Sequence, residues 1–107
     1  MMDIDVTTLV DPAALEALCR KWKVVELAVF GSAARGELTP GSDIDVLVTF
    51  EPGDGWSLLD VAQAKLDFEA LFERPTDLLE RPALERHDNP WLKHAILSEA
   101  KVVYRAA

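Results

Sequence analysis

The chain has 107 residues, half of them apolar, one cysteine and a net charge of −8 at pH 7. That length predicts a single domain spanning residues 1–107. The charge argues against nucleic-acid binding, which rests on Lys and Arg neutralising phosphates, since the densest basic stretch is only Lys21-Trp22-Lys23. No apolar run approaches the ~20 residues that span a bilayer, and Met1-Met2-Asp3-Ile4-Asp5 lacks the pattern of a secretory signal. Cys19 has no second cysteine to pair with, which suits a reducing compartment, and it reads as a small buried apolar side chain. The expectation is a cytoplasmic protein with no membrane contact. An acidic chain can still bind a nucleoside triphosphate where metal ions neutralise both sides, and it suits a basic protein partner.

In chain order, Met1 to Val10 reads as a frayed or extended lead. Asp11-Pro12 opens a helix, with Asp as N-cap and Pro at the first helical position. Leu15, Leu18, Cys19 and Trp22 then recur at helical spacing. Val24 to Phe30 is a strand ending at Gly31. Ser32 to Gly36 predicts a short helical turn, and Thr39-Pro40-Gly41-Ser42 is turn chemistry. Asp43 to Phe50 is a second strand, apolar on both faces beyond its aspartates, as a covered central strand is. After a loop at Glu51 to Gly55, a long helix runs from Ser57 to Glu73. Its expected buried stripe is Leu58, Val61, Leu66, Leu71 and Phe72, broadened by Leu59, Phe68 and alanines, with Asp60, Asp67, Glu69 and Glu73 on a solvated face. Arg74-Pro75 stops it. Thr76 to Glu80 is a third strand, Pro82 to Arg86 a helical turn, Asn89 to about Ala100 a last helix and Lys101 to Tyr104 a terminal strand. Strands alternating with helices predict an α/β (α+β) fold, a sheet with helices packed on it. His87 and His94, separated by Asn89-Pro90, read as surface groups. Trp22 and Trp91 read as core or interface, and Trp56 as a candidate substrate or partner contact as well.

The chemistry concentrates between Gly31 and Val48. A glycine-rich loop joins two apolar runs and delivers Asp43 and Asp45 at alternating positions. An extended strand points residues i and i+2 to one face, about 6–7 Å apart at Cα. Two adjacent carboxylates need a counter-charge, and a hard cation such as Mg²⁺ suits oxygen ligands together with substrate phosphates. Gly31 permits close backbone approach, and the amides around Ser32 suit a phosphate. Arg35 is equally suited to a phosphate and to pairing with Glu37 or Asp43. Asp77, near the start of the third strand, is either a further carboxylate of this site or a turn carboxylate before a strand.

Gly31-Ser32, a ten-residue spacer (Ala33 to Ser42) and Asp43-Ile44-Asp45 resemble the signature of the polymerase-beta-like nucleotidyltransferase superfamily. Ala34-Arg35-Gly36 and Ser42 make the stretch most similar to the minimal, MNT-type members, and the resemblance extends from about Asp11 to Tyr104. It implies a mixed sheet of three core strands plus the short terminal one. It implies that Asp43, Asp45 and Asp77 are catalytic and hold two Mg²⁺ ions, with Asp77 accepting the proton of the attacking hydroxyl. Gly31, Ser32, Arg35 and Ser42 become the nucleotide contacts. Ala33 stands where many relatives carry a larger residue, often Arg or Tyr, which removes a substrate contact. Larger members carry further domains for the base and the acceptor, so the acceptor is expected to be a protein, or a second subunit to complete the pocket as a homo- or hetero-oligomer. By this resemblance the chain is an antitoxin that transfers AMP from ATP to a tyrosine of a HEPN-type toxin. The alternatives are neutralisation of that partner by binding alone, and transfer to a small-molecule hydroxyl.

Overall fold

The computed structural model describes residues 10–39, 41–53 and 56–106. The reading of residues 1–9 as an extended lead, and parts of the two predicted loops at Pro40 and at Asp54-Gly55, lie outside the described residues. The elements are α1 (Pro12–Lys21), β1 (Val24–Phe30), a 3-10 turn (Gly31–Ala33), β2 (Ile44–Phe50), α2 (Leu58–Phe72), β3 (Thr76–Glu80), α3 (Arg81–Glu85), α4 (Pro90–Glu99) and β4 (Lys101–Arg105). They form an α+β fold around one mixed sheet of order β3-β2-β1-β4. β1 pairs antiparallel with β2 and with β4, and β2 pairs parallel with β3. Asp43 lies just before β2 rather than in it.

The helix ends follow their residues. The Asp11 side chain accepts the Ala13 amide at 3.1 Å, and Pro12 takes the position whose N–H has no acceptor. Ser57 and Asp60 form a reciprocal capping box at the start of α2. Asn89 accepts the amides of Trp91 and Leu92 to start α4.

Strand alternation sorts the apolar residues onto two faces. On one face Leu27, Val29, Ile44, Val46 and Val48 meet Leu15, Cys19 and Trp22 around α1, and Phe68 and Phe72 of α2. On the other, Ala28 and Leu47 meet Leu84 of α3, with Phe30, Leu79 and Ile96 against them. This second cover is thin, because α4 has no buried residue. Among the described residues no helix is long and apolar enough to cross a membrane.

Helix α2 corrects its expected stripe. Ala64, Phe68 and Phe72 form the buried seam, while Leu58, Leu59 and Leu66 are 86%, 82% and 56% exposed. Apolar residues surround this helix, so periodicity alone does not choose a face; its seat on the sheet does. Its acidic residues are also more than a solvated face. Asp67 accepts hydrogen bonds from Trp22 Nε1 (2.8 Å), Lys21 Nζ (3.0 Å) and Gln63 Nε2 (3.0 Å). Glu69 Oε2 accepts the Thr76 amide at 3.0 Å and so pins the start of β3.

Candidate functional site

The sheet brings Asp45 and Asp77 to neighbouring positions of β2 and β3, with Asp43 just before β2 and close enough for its charge to act on Asp45. Asp45 lies directly opposite Asp77 in the parallel β2–β3 register and opposite Phe30 in the antiparallel β1–β2 register. Leu47 and Leu79, two residues further along each strand, belong to the thinly covered face, so Asp45 and Asp77 point there as well. Asp45 is half-buried, while Asp43 and Asp77 are exposed. Burial first, then the charge of Asp77, a hydrogen bond shared with Asp77 and the charge of Asp43 push the Asp45 carboxyl above its ordinary value.

Phe30 facing Asp45 carries the chain onward through Gly31, which sits against that carboxylate. A Cβ at Gly31 would stand 2.9 Å from Asp45 Oδ2, and Gly31 has φ +66°. The glycine is thus required twice, for its backbone conformation and for room beside the acid. Gly31 opens the 3-10 turn whose next residues are Ser32 and the buried Ala33. The Gly31 carbonyl accepts the amides of Ala34 and Arg35, and the Ser32 carbonyl accepts that of Glu37, so the loop is tightly wound next to the acids.

The other two predicted nucleotide contacts have protein partners. Arg35 Nε donates to Glu37 Oε1 at 3.2 Å and its Nη1 to Glu99 Oε1 at 2.7 Å. It therefore joins the glycine loop to the end of α4. The Ser42 hydroxyl accepts the Thr39 amide at 3.0 Å and lies 2.7 Å from Thr39 Oγ1, so it locks the turn before Asp43. His87 and His94 are exposed, and His87 Nδ1 accepts the Asn89 amide. Trp22 and Trp56 meet edge to face at 5.3 Å, beside the α1–α2 core, whereas Trp91 is 83% exposed.

Sequence reasoning missed Arg74 and Glu99. Arg74 Nη1 donates to the carbonyls of Thr39 and Ser42, each at 3.2 Å. Its only sequence signal was a cation three residues before Asp77, masked by the helix-ending Arg-Pro pair. Glu99 gave no signal, being 64 residues from the arginine it meets.

The donor set suits a hard divalent cation, because it is all carboxylate oxygen and the crowded acids disfavour the ionised form of Asp45 until a counter-charge is present. Among the described residues no three acidic, histidine or cysteine side chains already form a metal-holding group. Asp43, Asp45 and Asp77 are neighbours that a cation would have to draw together. Chemically, the arrangement offers anionic ligands for cations beside the tightly wound glycine loop.

The profile of the nucleotidyltransferase domain matches residues 11–104. A Methanocaldococcus jannaschii protein named as a candidate protein adenylyltransferase is 40% identical over 80 residues, covering 75% of this chain and 80% of its own. A solved structure of a candidate minimal nucleotidyltransferase is 39% identical, covering 92% of this chain and 95% of its own, with a TM-score of 0.67. A chain from a toxin–antitoxin crystal structure with AMP-PNP shares the fold, with a TM-score of 0.68 at 18% identity, over 91% of this chain and 75% of that one.

Proposed function

This chain belongs to the nucleotidyltransferase domain family and is a nucleotidyltransferase, and from that premise we propose that it transfers AMP from ATP to a hydroxyl of a partner protein. The observation that carries this reading is the juxtaposition of Asp45, Asp77 and Gly31 at one corner of the sheet, with Asp43 one step before it. The adenylyltransferase name of a relative 40% identical supports AMP as the group transferred. The fold shared with a chain from a toxin–antitoxin structure with AMP-PNP fits ATP as donor, while a HEPN-type toxin as acceptor and a tyrosine as the modified residue follow from the resemblance of the Gly31–Asp45 stretch to the MNT-type members.

In this mechanism Asp43, Asp45 and Asp77 are the residues that would hold two Mg²⁺ ions. When bound, the ions supply positive charge that offsets the triphosphate and the leaving pyrophosphate. The amides around Ser32 bind phosphate oxygens, and Gly31 leaves the Asp45 carboxylate room to turn. Asp77, exposed at the edge, takes the proton from the acceptor hydroxyl. The hydroxyl oxygen forms a bond to the α-phosphorus, the bond to the bridging oxygen breaks, and pyrophosphate leaves. Arg35 and Ser42 shape the loop through Glu37, Glu99 and Thr39.

The test is incubation of the purified chain with labelled ATP and Mg²⁺, with and without the protein encoded by its neighbouring gene, followed by intact mass of both. The expected result is one or more AMP additions to the partner. Asp43→Asn and Asp45→Asn should each lower the transfer rate about a thousandfold, since a lost metal-binding carboxylate removes several kcal/mol of charge stabilisation. A stable complex without AMP addition would instead assign neutralisation by contact. Wild-type rates in either variant would remove the aspartates from the chemistry.

A further inference from the structure

Arg74 is a half-buried cation at this corner that the mechanism above does not use. It sits between β3, which carries Asp77, and the turn that delivers Asp43. Three features set its role. One guanidinium nitrogen, Nη1, bonds two carbonyls of that turn, Thr39 O and Ser42 O. Its own segment is held from behind: the Thr76 amide donates to Glu69, and Thr76 Oγ1 donates to the Arg74 carbonyl at 3.2 Å. The adjacent Pro75 carbonyl accepts the Ile44 amide at 2.9 Å, which closes the β2–β3 ladder at the same point. A buried Arg74 Nε has no partner at all, and no carboxylate within salt-bridge distance of Arg74 is found among the described residues. An arginine placed to serve stability alone would gain from an acid. This one is spent on two backbone oxygens next to a metal-site residue.

We infer that Arg74 is a positioning residue for the Asp43 arm of the cation site: its bonds to Thr39 O and Ser42 O fix the peptide from which Asp43 projects. The inference rests on the carboxylate reading proposed above. The Ser42 carbonyl belongs to the peptide whose nitrogen is that of Asp43, so holding that oxygen sets the plane of that peptide. Asp43 lies outside the sheet and has no ladder bonds of its own to do this. The turn's own bonds, Ser42 Oγ with Thr39 and the Ser42 amide to the Thr39 carbonyl, tie the turn to itself and not to the sheet. Arg74 supplies the link from turn to β3, and so fixes the distance between the Asp43 and Asp77 arms. Outer partners that orient metal-binding groups in this way are typically worth about 10–100-fold in metal affinity.

The experiment is Mn²⁺ binding by the full chain, read from the loss of the free-ion paramagnetic signal, without nucleotide or acceptor. It compares wild type, Arg74→Met, Arg74→Lys, Asp43→Asn and the Arg74→Met/Asp43→Asn pair, with circular dichroism to confirm the fold. Arg74→Met should bind Mn²⁺ about tenfold more weakly. Arg74→Lys, whose ammonium still reaches a carbonyl, should recover part of the loss. If Arg74 acts through Asp43, the double variant should bind no worse than Asp43→Asn alone. Wild-type affinity in Arg74→Met, or losses that add in the pair, would overturn the inference. Should Arg74→Met fail to fold, Arg74→Lys decides: unchanged Mn²⁺ affinity with Lys, whose side chain ends one atom short of the Nη1 position that holds both carbonyls, overturns it, and a severalfold loss supports it. No Mn²⁺ binding by folded wild type would overturn the carboxylate reading itself, and the inference with it; wild-type binding with an indifferent Arg74 overturns the inference alone.

Discussion

At the scale of single residues, Gly31 shows how closely backbone and chemistry are coupled here. Its φ of +66° would strain any side chain, and a Cβ would press on Asp45 Oδ2 at 2.9 Å. Gly31→Ala should therefore lose about 1–2 kcal/mol from the left-handed backbone alone. For a chain of this size that lowers the melting temperature by roughly 4–15 °C. It should also displace the Asp45 carboxylate, so transfer should fall further than the stability loss accounts for. A thermal melt beside a transfer assay separates the two; a variant with unchanged Tm and full activity would show that neither constraint matters. The sequence already marked Gly31 as a site of close approach. That the approaching group is the chain's own aspartate follows only from the pairing of β1 with β2.

At the scale of elements, α2 shows where periodicity stops being informative. Its extent was legible, expected from Ser57 to Glu73 and observed as Leu58–Phe72, with Arg74-Pro75 as a local stop; the Ser57–Asp60 capping box appeared only in the structure. Its buried face was not, because Leu58, Leu59 and Leu66 compete with Ala64, Phe68 and Phe72 for the same role. The structure makes Phe68 fully buried and Leu58 86% exposed. Phe68→Ala should then cost about 3–5 kcal/mol, by lost transfer energy and a cavity. Leu58→Ser should stay within about 0.5 kcal/mol, as surface changes do. Urea unfolding of both checks this, and equal losses would place the wrong face against the sheet. The partners of the α2 acids were likewise not readable from sequence. Asp67 and Glu69 find their partners on α1 and at the start of β3, 46 and 7 residues away, and no local rule reaches that far.

At the scale of the whole molecule, the site works against the fold. An acidic chain with net charge −8 places three carboxylates at one corner and half-buries one of them. The folded Asp45 carboxyl titrates above its unfolded value. Its contribution to stability is therefore present below the unfolded pKa and is lost as pH rises through the folded one, so at neutral pH the ionised group opposes folding. In the absence of divalent cations, Asp45→Asn should melt above wild type at pH 7, and the difference should shrink as pH falls towards the ordinary carboxylate range near ~4. Mg²⁺ should raise the wild-type melt and leave that of Asp45→Asn nearly unchanged, because a cation bound only by the folded state stabilises it. A variant that melts below wild type at pH 7 would mean that Asp45 stabilises the fold in its charged form.

The order and type of the described elements, the α+β class and the closeness of Asp43 to Asp45 were readable from the chain alone. They rest on interactions a few residues long: caps, turns, alternation along a strand and the spacing of a short motif. What only the tertiary structure decided is which groups meet. It set Asp77 opposite Asp45 through a parallel register, turned Arg35 towards Glu99 and Ser42 towards Thr39, and laid Arg74 across the turn before Asp43. Local patterns specify an element and its faces, but register and side-chain pairing between distant elements are set by how those faces pack, and that depends on the whole chain at once.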